Sequence, residues 1–287
     1  MSSSIKIIEC PRDAMQGIVE FIPTSVKIDY INSLLKCGFD TIDFGSFVSP
    51  KAIPQLRDTA LVLKGLELTE KTKLLAIVAN ERGAKEALEY DEINCIGFPF
   101  SISEQFQLRN TNSSISAAFE TVSRIQDLVT NKNKTLIVYL SMGFGNPYGD
   151  EWSPTLALTW AEKLVNELGI STLALSDTIG CATAESVRSL FEVFSSELPG
   201  TELGAHFHVK PNQSYSLLDA AFGAGCRRFD VAFKGMGGCP MANDDLTGNL
   251  GTEELLDWMA LNNIDNMLDK YAFTNAEAEA RRLFKMN

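Results

Sequence analysis

The amino-acid sequence predicts an α/β fold in which eight parallel strands alternate with helices and close on themselves. Three observations lead there. Short β-rich apolar runs occur at residues 4–10, 41–47, 73–79, 92–98, 135–143, 172–177, 202–209 and 228–233, which makes eight strands. The stretches between them, such as SVKIDYINSLLKCG, SPTLALTWAEKLVNELG and AESVRSLFEVFSSEL, carry apolar residues every three to four positions, and a glycine or proline often follows. Successive strand starts fall 37, 32, 19, 43, 37, 30 and 26 residues apart, as expected when each strand reaches a parallel neighbour through one crossover helix. A doubly wound open sheet usually has fewer units and opens on a glycine-rich turn, whereas here the turn after the first strand reads PRDAMQ. The expected fold is a (β/α)8 TIM barrel with extra C-terminal helices.

After the eighth strand comes a glycine-rich loop at 234–249, then helical material at 252–287 that exceeds what one closing helix requires. These extra helices are expected to cap or extend the barrel. No proline- or serine-rich linker, charge block or internal repeat marks a second domain. Residues 1–287 therefore read as one catalytic domain, with the barrel at 4–260 and a helical extension at 261–287.

Hydrophobic residues make up 45% of the 287 and charged residues 22%, and the mean hydropathy is near zero. That composition supports a packed core and argues against disorder. Lys plus Arg number 25 against 37 Asp plus Glu, a net charge of −12 that repels phosphate backbones and anionic lipid surfaces. Nucleic acid and membrane are thus unexpected partners. No apolar run approaches the ~18 residues of a bilayer span, and MSSSIKIIEC resembles neither a secretory signal nor a transit peptide, which predicts a cytoplasmic protein. The six cysteines include no C-x-x-C pair, and five of them, Cys10, Cys37, Cys95, Cys181 and Cys226, sit in apolar segments as reduced core residues. Cys239, in KGMGGCP, does not.

In a parallel barrel the chemistry sits at the C-terminal ends of the strands and on the loops that follow. Both histidines of the chain occur in GAHFHV at the end of the seventh strand, where a spacing of two puts His206 and His208 on one face. They read either as half of a metal site or as satisfied interior histidines. Asp13, just after the first strand, and Asn249, after the eighth, can converge on them around a closed barrel. An Asp, two His and an Asn form an N/O donor set suited to Mg²⁺ or Mn²⁺. Taken alone, Asn249 reads better as a helix cap, and Asp13 also reads as a turn cap. Arg12 reads either as a holder of a developing oxyanion or as an ion-pair partner of Asp43. Asp43, Ser46 and Asp177 lie at strand ends, where catalytic and turn-capping readings both stand. The glycines around Cys239 give its loop freedom to open and close.

These residues resemble the metal-dependent barrel family that contains 3-hydroxy-3-methylglutaryl-CoA lyase and the isopropylmalate, citramalate and homocitrate synthases. The matching stretches are ECPRDAMQ (9–16), GSFVSPKAIPQ (45–55), SEQF (103–106), NPYG (146–149), SDTIG (176–180), AHFH (205–208), GGCP (237–240) and GNLGTEE (248–254). SFVSPK and GGCP favour the lyases over the synthases. The resemblance implies a divalent cation held by Asp13, His206, His208 and Asn249, Arg12 stabilising the enolate of departing acetyl-CoA, and Cys239 on a mobile loop. Asp43, Ser46, Gln16, Tyr139, Asp177 and Glu253 match positions near the family's site, with Gln16, Ser46, Tyr139 and Asn146 as candidate substrate-binding residues.

The chain departs from the family at Asp43, where Glu is common, at Val209-Lys210 in place of Asp-Thr, and at Asn146 in place of a cysteine. The expected reaction is retro-Claisen cleavage of a tertiary 3-hydroxyacyl-CoA, with Asp13 or Asp43 as base and Cys239 or water as proton donor. The expected partner is an acyl-CoA, with Lys51, Arg109, Lys210 and Lys234 as candidate cations for it, and the family suggests a homodimer. A synthase acting on a 2-oxo acid and a non-catalytic binding barrel are the competing readings.

Overall fold

Runs such as KLLAI, TLIVYLS and TLALSD carry apolar residues at successive positions, the pattern of a strand covered on both faces. In the computed structural model, which describes residues 4–238 and 247–285, they form covered strands of one sheet. The strands are β1 (Lys6–Glu9), β2 (Thr41–Ser46), β3 (Lys73–Ile77), β4 (Cys95–Ser101), β5 (Thr135–Ser141), β6 (Thr172–Asp177), β7 (Glu202–Val209) and β8 (Arg228–Val231). Each pairs in parallel with its sequence neighbour, and β1 pairs with β8, so the sheet closes as a (β/α)8 barrel.

Against the expected spans, most ends are trimmed by a residue or two, and β4 starts three residues later than expected. Its approach is taken up by Asn94, whose side chain accepts the Leu74 amide before the β4 ladder begins. A ninth strand that periodicity does not reveal, β9 (Gly248–Asn249), runs antiparallel to β7 and sets Asn249 opposite His208.

The helices are α1 (Pro11–Gln16), α2 (Thr24–Leu35), α3 (Thr59–Lys64), α4 (Glu81–Ala87), α5 (Glu104–Thr111), α6 (Ile115–Asn131), α7 (Pro154–Glu162), α8 (Ala184–Glu197), α9 (Ser214–Gly223), α10 (Thr252–Leu261) and α11 (Lys270–Leu283). Several begin on short polar side chains that accept an orphan backbone N–H, among them Asn80, Ser103, Ser114, Ser153 and Thr183. The two C-terminal helices complete the helical ring. α10 packs against α9, and α11 packs against α2, where Phe273 stacks on Phe233 at 4.9 Å and Phe284 meets Tyr30 edge-on at 5.9 Å.

The barrel interior is divided by chemistry. Strands β3 to β6 contribute an apolar cluster of Leu75, Ile77, Cys95, Ile137, Tyr139 and Ala174. The other four strands and α1 contribute buried polar and charged groups instead, including Arg12, Asp13, Asp43, His208, Arg228 and Asp230. Buried charge is costly unless paired, so the charged half must be an interconnected network.

Candidate active site and metal centre

Proline at the first helical position pre-sets φ for α1, a helix too short to be stable alone that is held by packing against β2. It places Arg12, Asp13 and Gln16 within one turn of each other. The Arg12 guanidinium reaches Asp43 at the end of β2 through Nε at 2.9 Å and Nη2 at 2.5 Å, and its Nη1 donates to Asp13 and Gln16, each at 2.9 Å. Gln16 donates back to the same Asp13 oxygen at 2.5 Å. Arg12 thus takes the ion-pair role with Asp43, and it also lines the central cavity.

On β7, His206 and His208 face the same region with ring centroids 5.5 Å apart. One ligating atom from each, together with a carboxylate oxygen of Asp13, lies within 4.8 Å of the others. Asn249 completes the group: its Nδ2 donates to Asp13 Oδ2 at 2.6 Å and to the Met236 carbonyl at 2.8 Å. The helix-cap reading of Asn249 is therefore wrong, since α10 begins two residues later on Gly251. β9 lifts Asn249 out of the capping position and pairs it with β7.

Gly237 permits this approach. Its φ is +96°, and a Cβ there would stand 2.6 Å from Asn249 Nδ2 and 2.7 Å from the Asp13 carbonyl oxygen.

The donor chemistry fits a divalent cation. His208 donates through Nδ1 to the Thr178 carbonyl at 2.9 Å, while its buried Nε2 has no hydrogen-bond partner among the described residues. An orphaned, buried imidazole nitrogen beside a carboxylate and a second imidazole is a donor set that fits a divalent cation. Burial, reinforced by the neighbouring His206, pushes the His208 pKa down to about 4, which keeps its lone pair free near neutrality. Burial works against the Asp13 charge, but Arg12 and the two imidazoles outweigh it and hold the carboxylate at about 2. Burial likewise disfavours the charge on Arg12, and Asp43 and Asp13 overcome it.

The cluster opens on a cavity of about 640 Å³ lined by Arg12, Asp13, Gln16, Tyr139, His206 and His208, and by Phe106 and Arg109 of α5. Asp43 stands behind Arg12, not on the cavity wall, and burial pushes its carboxyl up to about 6 against the pull of Arg12.

Three other expected site residues are spent on turns. Asp177 accepts the amides of Cys181 and Ala182 at 3.0 and 2.8 Å. Ser46 bonds the Ile77 carbonyl and the Val48 amide, and Asn146 ties the 146–150 turn through Tyr148 and Asp150. None of the three lines the cavity. Short polar side chains at strand ends are captured by the nearest backbone groups.

Of the candidate cations, Arg109 lines the cavity with its guanidinium 4.4 Å over the Tyr148 ring, Lys234 is engaged by Glu253 and Glu277, and Lys51 and Lys210 are exposed. Cys239 lies outside the described residues. Sequence reading missed Asp230, which contacts His206, although the alternation Arg228, Asp230 along a short apolar strand marks two charges on its inward face.

The model of the HMGL-like family matches residues 5–279. The hydroxymethylglutaryl-CoA lyase YngG of Bacillus subtilis is 35% identical over 246 residues, 86% of this chain and 81% of that protein. A 3-hydroxy-3-isohexenylglutaryl-CoA/hydroxymethylglutaryl-CoA lyase of Pseudomonas aeruginosa is 30% identical over 96% of this chain and 91% of its own length. Among solved structures, an HMG-CoA lyase from Acinetobacter baumannii in complex with coenzyme A and 3-methylmalate superposes with a TM-score of 0.93 at 30% identity, covering 100% of this chain and 93% of that one.

Proposed function

The chain belongs to the HMGL-like family, and from that premise we propose that it cleaves 3-hydroxy-3-methylglutaryl-CoA to acetyl-CoA and acetoacetate. The observation that carries this reading is the convergence of Asp13, His206 and His208 beside an arginine already oriented by two carboxylates, on the wall of one cavity. Asp13, His206, His208 and Asn249 would hold the cation, with Asn249 turning its amide over to present oxygen, and hard N/O donors favour Mg²⁺ or Mn²⁺. When bound, such an ion supplies Lewis acidity toward the oxygens of the substrate.

The residues of the chain divide the remaining work. The 3-hydroxyl proton leaves to a carboxylate of the site, either Asp13 on the cavity wall or Asp43, whose carboxyl, raised to about 6, stands behind Arg12. The bond between C2 and C3 then breaks, C3 becomes the ketone of acetoacetate, and the electron pair passes into the thioester enolate. Arg12, locked by Asp43 and Gln16, offers its guanidinium to that developing oxyanion without having to reorganise. Cys239, which the family resemblance counts among the site residues, returns a proton to C2. We further read the protein as cytoplasmic, on the absence of a long apolar run, and as a homodimer, in line with the family resemblance.

The test is turnover of hydroxymethylglutaryl-CoA by the purified chain with and without Mg²⁺ and a thiol reductant, scored as acetoacetate and acetyl-CoA. Arg12→Met should lower kcat by roughly 10²–10³-fold, the loss seen when one oxyanion donor is removed. Metal-independent or absent cleavage sinks the proposal. Release of free CoA from acetyl-CoA and a 2-oxo acid would favour the synthase reading instead.

A further inference from the structure

The two imidazoles of the cluster are oriented by different means. His208 leans on a backbone carbonyl, that of Thr178. His206 leans on a side chain: its Nδ1 lies 3.2 Å from Oδ2 of Asp230, which is opposite it in the β7–β8 ladder. The second oxygen of Asp230 is 2.8 Å from Nη1 of Arg228, two residues earlier on β8 and on the same face. All three side chains are buried or nearly so, at 12% exposure for His206, 3% for Arg228 and 0% for Asp230. Room for the arginine exists because Gly204 is its ladder partner; a Cβ there would come within 2.6 Å of Nη1. The Tyr139 ring packs on His206 edge-on at 5.4 Å.

We propose that Asp230, held in place by Arg228, is a positioning residue for the metal centre, fixing His206 as the Nδ1–H tautomer with Nε2 directed at the cation. The inference rests on the functional reading above for the cation, but not for the substrate. A carboxylate accepting from the remote nitrogen of a ligating histidine fixes the ring and raises its basicity, and removing such a partner costs 10–100-fold in metal affinity. Arg228 explains why a full carboxylate can be kept at this depth, since an unpaired one would be prohibitively desolvated. Asp230 and His206 also approach Cys10 closely enough to suggest a second cation position. The guanidinium of Arg228 already occupies that carboxylate, which leaves no place for another positive charge.

The experiment is a Mn²⁺ titration of the full chain, read from the electron paramagnetic resonance signal of free Mn²⁺. Asp230→Asn should weaken Mn²⁺ binding 10–100-fold, while saturating Mn²⁺ restores most of the turnover number. A purely structural ion pair predicts something different for the double variant Asp230→Asn/Arg228→Met, which leaves no unpaired buried charge. That variant would then fold and bind Mn²⁺ like the parent, whereas a positioning role keeps its affinity low. Parental Mn²⁺ affinity in a folded form of either variant overturns the proposal. Because no substrate is present, a chain that binds Mn²⁺ but leaves hydroxymethylglutaryl-CoA intact would refute the function and leave this inference standing.

Discussion

Arg12 and Asp43 show how one buried pair serves chemistry. The arginine is charged at any accessible pH, so its usefulness depends on where it points, and Asp43 sets that direction through two of its three nitrogens. Burial raises the Asp43 carboxyl to about 6, so it is ionised above that pH and protonated below it. As the pH falls through about 6, Asp43 loses its charge and its hold on Arg12 weakens. With metal kept saturating, kcat should therefore decline on an acid limb centred near pH 6, and Asp43→Asn should show low activity without that limb. A pH–rate profile of both proteins checks this; an unchanged limb in the variant would assign it to another group. Arg12, Asp13, His206 and His208 were legible from their types and from their strand-end positions. The pairing of Arg12 with Asp43 was legible as one of two readings, but its geometry was not, because it depends on how groups 31 positions apart pack together.

Among the elements, the short ones matter most to the site. α1 presents three polar side chains within one turn, and β9 carries Asn249 to β7, yet neither has enough residues for a periodic pattern to emerge. Local capping preference misassigned Asn249 for that reason. Gly237 joins these two elements by letting the loop pass between Asn249 and the Asp13 carbonyl. Gly237→Ala combines a left-handed φ with contacts of 2.6 and 2.7 Å. It should cost about 1–2 kcal/mol at the site, a loss of roughly tenfold in metal affinity, with the barrel intact. Calorimetric titration with Mn²⁺ alongside circular dichroism measures both, and unaltered affinity would show that the loop gives way without disturbing the ligands.

For the whole molecule, closure is the decisive property. The sheet closes because β6 also pairs with β7 and β1 with β8, and the helical ring closes because α10 and α11 share the gap between α9 and α2. α11 is therefore expected to carry stability as well as cover. Phe273→Ala removes the ring stacked on Phe233, a partly buried aromatic pair. It should destabilise the fold by roughly 2–3 kcal/mol and lower Tm by about 5–10 °C. A Tm within a degree of the parent would mean that α11 is only loosely seated. No helix among the described residues is long and apolar enough to cross a membrane.

By itself the sequence determined the eight barrel strands, their order and their parallel sense, since apolar runs and crossover lengths are local records of burial and reach. It also offered the candidate ligand types, because only a few side chains can hold a divalent cation or an oxyanion. Tertiary structure alone decided which polar residues converge on the cavity and which cap turns. It also placed Asp43 behind Arg12, set Asp230 beneath His206, and made the C-terminal helices part of the ring. Those outcomes depend on ladder register and side-chain direction across strands that are distant in sequence, and a one-residue change of register would send each charge to the opposite face.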